Sequence, residues 1–236
     1  MTQNALFVTG TDTGVGKTLV TALLALKIRA MGFDCGVYKP FASGCDWENG
    51  ALVSPDAQWL QKTLDLGDSL DEISPLRLEE PLAPLIAARR AGISTQDWPE
   101  IARAGFDHLR SKHEFIIVEG VGGLLVPVWD ENEAIRTVED LINAWQLPIV
   151  LVARRALGTI NHTFLSLSVP LKAPANFAGL VFNDSAPVAP DDIAAQTSPE
   201  FISYQSAVPI WGQVPFLDCN DAAALRRAAQ SIEIEL

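Results

Sequence analysis

The sequence predicts an α/β domain with a mostly parallel central sheet flanked by helices on both faces. Three observations lead there. Short apolar runs rich in Val, Ile and Phe recur at 5–9, Cys35–Tyr38, Phe115–Glu119, Ile149–Ala153 and Phe177–Asn183, and continuous runs of this length read as strands buried on both faces. The stretch 17–31 carries apolar residues on more than one helical face, so it reads as a deeply packed helix. A strand, a helix and a second strand in so short a span require a right-handed crossover, which makes the neighbouring strands parallel.

The elements follow in order. The first strand, 5–9, runs into Gly10-Thr11-Asp12-Thr13-Gly14-Val15-Gly16-Lys17-Thr18 and then into the helix. There Val20, Leu23, Leu24, Ile28 and Met31 share one face, while Leu19, Ala22 and Leu26 lie on another. Gly32 stands where a C-terminal cap glycine belongs, and the next strand opens at Cys35. From 55 to 112 no run reads as a strand, and helices are expected over 56–66, 81–91 and 96–109, with Ser94 or Thr95 capping the last. This helical excursion belongs to the same domain, so 1–236 is expected to be one unit. The final third, with Pro187, Pro190, Pro199, Pro209 and Pro215, carries many turn signals and, beyond the 177–183 run, no assigned element.

Composition excludes several classes of function. With 48% hydrophobic and 19% charged residues in a chain of 236, a large core is available and a disordered tail is not the answer. A net charge of −12 argues against a broad nucleic-acid surface, because that affinity comes from many phosphate contacts on a basic face. The pairs Arg89-Arg90, Arg154-Arg155 and Arg226-Arg227 are too short to change this, so any bound anion is expected to be small and held locally. Cys35, Cys45 and Cys219 form neither a disulfide framework nor a Cys-x-x-Cys pair, which suits a reducing compartment. The start, Met1-Thr2-Gln3-Asn4, lacks the features of a secretory signal, and no segment approaches the ~20 apolar residues that span a bilayer. A cytoplasmic protein without nucleic-acid or membrane partners is expected.

The glycine-rich stretch before the helix reads as a P-loop. Glycines let backbone N–H groups converge on phosphate oxygens, the helix start adds a favourable dipole, and Lys17 reaches the β- and γ-phosphates. Thr18 then offers its hydroxyl to Mg²⁺. The pattern is a variant, with Thr11 where a glycine usually stands and the glycine one position earlier at Gly10. Glu119 ends a strand just before Gly120-Val121-Gly122-Gly123, at the sheet edge where ligands bind, and reads as a second metal contact. Asp56 reads equally as a metal contact or as a first-turn acid that satisfies the helix dipole. Lys39 follows a buried strand, where an ammonium is unfavourable unless it meets negative charge, as a transferring phosphate would supply.

Together these residues resemble one family, the dethiobiotin synthetases, ATP-dependent carboxylases of biotin synthesis. The resemblance rests on Gly10-Thr11-Asp12-Thr13 with Val15-Gly16-Lys17-Thr18, on Tyr38-Lys39-Pro40 with Ala42-Ser43-Gly44, and on Val118-Glu119-Gly120 with Gly122-Gly123. It continues through Leu157-Gly158, Ile160-Asn161-His162, Asn183-Asp184, Gly212 and Pro215. It implies ATP and Mg²⁺, with Thr18, Asp56 and Glu119 holding the metal. It also implies catalytic roles for Lys39, Lys17 and Thr13, and nucleotide contacts from Gly14, Val15, Gly16, Lys17 and Thr18. Asn183 and Pro215 would face the adenine. Ser43 would hold the amine end of diaminononanoate, while Gly158, Thr159, Ile160 and Asn161 would receive its carboxylate from the neighbouring subunit of a homodimer. CO₂ would be the remaining substrate.

The chain departs from that pattern at Gly14, where relatives often carry an acid, at Ala156 in place of a lysine, and at Thr159 in place of a cysteine. A competing reading is a partition or septum-positioning ATPase, a nucleotide-driven switch on a related sheet. Such proteins carry a signature lysine near the loop start, where this chain has Gly10, Thr11 and Asp12. Asn183-Asp184-Ser185-Ala186 lacks the base reader of a GTPase. His108, His113 and His162 have no zinc-like spacing, and the scattered tryptophans read as packing residues.

Overall fold

A computed structural model of the chain describes residues 4–172 and 176–234. β1 (Ala5–Gly10) leads through the glycine-rich loop into α1 (Lys17–Ala30), and β2 (Cys35–Tyr38) follows. The excursion then comprises β3 (Phe41–Ser43), the hairpin β4 (Asp46–Glu48) and β5 (Ala51–Val53), α2 (Pro55–Leu64), α3 (Leu70–Ile73), β6 (Leu76–Leu78), α4 (Pro84–Ala91) and α5 (Trp98–Lys112). The chain returns through β7 (Phe115–Glu119), the hairpin β8 (Pro127–Glu131) and β9 (Ala134–Thr137), and α6 (Val138–Trp145). It ends with β10 (Ile149–Ala153), α7 (Thr159–Leu167), β11 (Phe177–Asn183), α8 (Ile193–Ser206), β12 (Ile210–Val214) and α9 (Ala222–Gln230).

The central sheet has six parallel strands in the order β12-β11-β10-β1-β7-β2. β1 lies between β10 and β7, with Val8 opposite Val150 on one side and Glu119 on the other. Strand order reverses beside β1, and the crevice at the carboxyl ends of such strands is where ligands bind. Alternate side chains feed two faces. Leu6 and Val8 pack with Ile117 and Val152 against Leu23 and Leu24 of α1 and Leu225 of α9. Phe7, Ile116 and Val118 face Phe106 of α5 and Trp145 of α6, whose rings stack with centroids 4.8 Å apart. Further along that face, Leu180 and Phe182 meet Ile202 of α8 and Phe164 of α7. The expected parallel sheet with helices on both faces is thus the observed one.

Some expectations need correction. The excursion does contain a strand, β6, which pairs in parallel with β3 in a separate two-stranded sheet, Phe41 opposite Leu76. Three residues are too few to show a period. β12 was also not expected, because Gly212 and Gln213 interrupt its apolar run; Trp211 nevertheless packs over β11, where a Cβ at Gly179 would come within 2.4 Å of its ring. Helix α4 starts at Pro84 rather than 81, with Pro84 in the first turn, where a missing N–H is tolerated. Neither Ser94 nor Thr95 caps α5: Asp97 takes that position, and the Thr95 hydroxyl accepts from the Asp130 N–H at 3.0 Å. Met31 is 46% exposed because it lies just past the last turn of α1. Trp47, on the β4–β5 hairpin, is exposed as well.

Candidate active site

The loop after β1 folds tightly over itself. A Cβ at Gly10 would lie 2.7 Å from Val15 Cγ2 and 3.3 Å from Lys17 Cδ, so the shifted glycine of the variant motif is a packing requirement. Gly16 has φ +93° and begins α1 with no side-chain cap. The first-turn N–H groups of a helix have no intrahelical acceptors, and here they open toward the loop as an anion cradle. Lys17 is buried and donates to the Asp12 carbonyl at 3.1 Å. Burial pushes its pKa down to about 8, against the opposing pull of Glu119.

Four polar side chains from four segments converge at this cradle. Lys39, just past β2, is fixed by its own N–H to the Ile73 carbonyl at 2.8 Å. Its Nζ lies 2.8 Å from Asp56 Oδ2 and 2.5 Å from Glu119 Oε1. The Thr18 hydroxyl donates to the same Glu119 oxygen at 2.7 Å. Burial works against the Lys39 charge, but the carboxylates of Glu119 and Asp56 outweigh it and hold its pKa above the ordinary lysine range. For Asp56 burial again opposes the charge, while the Lys39 ammonium holds its carboxyl below the usual range.

Glu119 is only 1% exposed, and its Oε2 has no hydrogen-bond partner. A buried carboxylate oxygen without a donor calls for a cation. One hydroxyl and two carboxylates form a hard oxygen set that suits Mg²⁺, which commonly takes few protein ligands and completes its shell with phosphate and water. Consistent with that sparse set, no group of three or more His, Cys, Asp or Glu residues able to hold a metal occurs among the described residues.

One cavity adjoins the loop and a second opens just past the ends of β10, β11 and β12. The first, of about 310 Å³, lies between Thr11, Thr13 and Leu124 on one side and His162 and Leu165 of α7 on the other. The second, of about 360 Å³, is bounded by Arg155, Asp184, Pro215 and Phe216. Asn183 stands behind the loop, its amide N–H donating to the Val15 carbonyl at 3.0 Å while its Oδ1 is buried and unpartnered.

A sequence profile of the family described as AAA domain matches residues 4–223. The ATP-dependent dethiobiotin synthetase BioD of Thermodesulfovibrio yellowstonii is 39% identical over 233 residues, 97% of this chain and 96% of that protein. The chain belongs to the dethiobiotin synthetase family. Other synthetases so named are those of Bacillus subtilis strain 168, 37% identical over 89% of this chain and 87% of the relative, and Nitrosopumilus maritimus, 31% identical over 95% and 94%. A ParA family ATPase from Chlorobium tepidum TLS shares the fold with a TM-score of 0.53, covering 97% of this chain and 91% of that one, at 13% identity. That likeness is of fold alone.

In this synthetase family member, Thr18, Lys39, Asp56 and Glu119 come together, although Lys39 meets the two acids directly. Asp56 sits in the first turn of α2, as the helix-dipole reading expects, and it also pairs with Lys39. Gly14 has φ +73° and faces open space, so nothing packs where a side chain would stand. Ser43 closes β3 and is half-buried, paired with Leu78. At α7 the expected group divides: Gly158 caps the helix with φ +95°, whereas the Thr159 side chain turns inward to Thr163 and its N–H donates to the Ala156 carbonyl. Ile160 and Asn161 remain on the open first turn. Pro215 lines the second cavity. Sequence reasoning passed over Arg155 as half of a short basic pair; its place just after a sheet strand's carboxyl end was the available signal.

Proposed function

We propose that this protein joins CO₂ to 7,8-diaminononanoate with cleavage of ATP, giving dethiobiotin, ADP and phosphate in biotin synthesis. The observation that carries the reading, beside membership of the family, is the buried Lys39 ammonium bonded to Asp56 and Glu119 next to Lys17 and Thr18. The amides of the loop and the start of α1 bind the phosphates with Lys17. Thr18, Asp56 and Glu119 hold Mg²⁺, which when bound neutralises phosphate charge.

The carbamate formed on one amine attacks the γ-phosphate through oxygen, and the second amine then closes the cyclic urea as phosphate leaves. No covalent enzyme intermediate is needed. The protein supplies position and charge, the main sources of rate in phosphoryl transfer. Lys39 places its ammonium where the transferring group and the carbamate meet, with Thr13 at the loop tip. Ser43 holds the amine end. Asn183 Oδ1, buried and unpartnered, is available to accept from the adenine amino group, and Pro215 covers the base.

A homodimer completes the site, with the start of α7 receiving the substrate carboxylate from the neighbouring subunit. The 93% exposed Leu157 and the exposed Leu165 give that surface the apolar contacts a subunit interface uses. Residues 1–236 act as one catalytic unit in the cytoplasm; among the described residues no helix is long and apolar enough to cross a membrane.

ATP hydrolysis measured with and without the diamine and bicarbonate tests this reading. Strict dependence on both, with isotopically labelled carbon recovered in the ureido position, is the expected result. Diamine-independent turnover stimulated by DNA or lipid would overturn it in favour of a switch.

A further inference from the structure

Beyond the phosphate end of the site, the cavity walled by Arg155 and Asp184 holds a device that neither motif nor family membership assigns. Asp184 immediately follows β11, its backbone N–H donating to the Val214 carbonyl at 3.0 Å, and its side chain is only 2% exposed. Both of its oxygens are taken by one guanidinium. Arg155 Nε donates to Oδ1 at 2.9 Å and Nη2 donates to Oδ2, while Nη1 reaches Gln213 Oε1 at 3.4 Å. Arg155 and Asp184 form one wall of the cavity, and Pro187, Pro190, Pro215 and Phe216 supply apolar plates around it. That shape suits a planar ring.

We propose that Arg155 sets the nucleobase preference of this site by occupying both oxygens of Asp184. The proposal rests on the reading of this cavity as the base pocket. An ionised carboxylate can only accept hydrogen bonds. Guanine offers two parallel donors, N1–H and the N2 amino group, which match a carboxylate fork as arginine does. Adenine offers one amino donor beside the N1 acceptor, and that acceptor is repelled by a bare carboxylate. A free Asp184 in this wall therefore favours guanine and penalises adenine. Filled by Arg155, it loses that bias, and Asn183 Oδ1 is left to read the amino group of adenine. Discrimination thus comes from withdrawing an attraction to the wrong base, a form of specificity that adds no contact to the right one.

The test is nucleotide selectivity in Arg155→Ala and Arg155→Lys, read both as the GTP-to-ATP ratio of kcat/KM and as equilibrium binding of fluorescent GDP and ADP. Arg155→Ala frees both oxygens, and the GTP-to-ATP ratio rises about tenfold or more, a difference of about 1.4 kcal/mol or more. Arg155→Lys keeps the charge but releases one oxygen, so its ratio falls between wild type and Arg155→Ala; should the alanine variant fail to fold, the lysine variant decides alone. Arg155→Ala combined with Asp184→Asn removes the carboxylate, and the ratio returns toward wild type. A shift in ATP and GTP affinity by equal factors in Arg155→Ala, or an elevated ratio that persists in the double variant, overturns the proposal while leaving the base pocket in place. Unaltered binding of every nucleotide in both Arg155→Ala and Asn183→Ala overturns the base-pocket reading and the proposal with it.

Discussion

Lys39 is the residue on which the proposed chemistry turns. A buried ammonium at a strand end demands anionic company, and that much was legible from Val37-Tyr38-Lys39 alone. The identity of the company was not, because Asp56 and Glu119 lie on distant segments that only the fold brings within 2.8 Å and 2.5 Å. Lys39→Gln should lower kcat by ~10² or more, the effect typical of removing one charge-stabilising donor; steady-state turnover at saturating ATP checks this. Glu119→Gln should raise the Mg²⁺ concentration needed for half-maximal activity, and an unchanged metal titration would return Glu119 to a structural strand-end role. At Gly16 a side chain would both strain a φ of +93° and strike the Asn183 amide at 2.2 Å. Gly16→Ala should therefore weaken ADP binding in equilibrium titration without abolishing the fold.

Helix α1 shows what a single element can announce. Its apolar residues on two faces indicated deep packing, and Val20, Leu23, Leu24 and Ile28 are indeed fully buried. Leu23→Ala should cost about 2–5 kcal/mol in denaturant unfolding, the range for emptying a well-packed core position. Shorter elements stayed silent. Helix α3 has only four residues, yet it has a capping box from Ser69 and Glu72 and its last carbonyl positions Lys39. The Ser69 N–H, then Lys112 and His108, hold the Glu72 carboxyl well below the usual carboxylate range. A depressed folded pKa gives stability that is present above the unfolded value of 4.5 and is lost as the pH falls. Since Glu72 is near the surface the effect is at most ~1 kcal/mol. Thermal midpoints of wild type and Glu72→Gln should differ near pH 7 and converge in acid.

At the scale of the molecule, a net charge of −12 leaves little attraction for polyanions, and duplex DNA at low salt should leave ATP turnover unchanged. Ionic-strength-dependent stimulation by DNA would contradict this. The sequence by itself determined the parallel sheet, its flanking helices, the phosphate cradle and the lysine that needs anions, because hydrophobic period, glycine placement and the burial of charge are local properties of the chain. The tertiary structure alone decided the strand order around β1, the pairing of Asp56 with Lys39, the edge strand that carries Trp211 and the Arg155–Asp184 fork. These depend on which distant segments meet, and a linear pattern records what each residue requires of its surroundings without recording which partner will satisfy it.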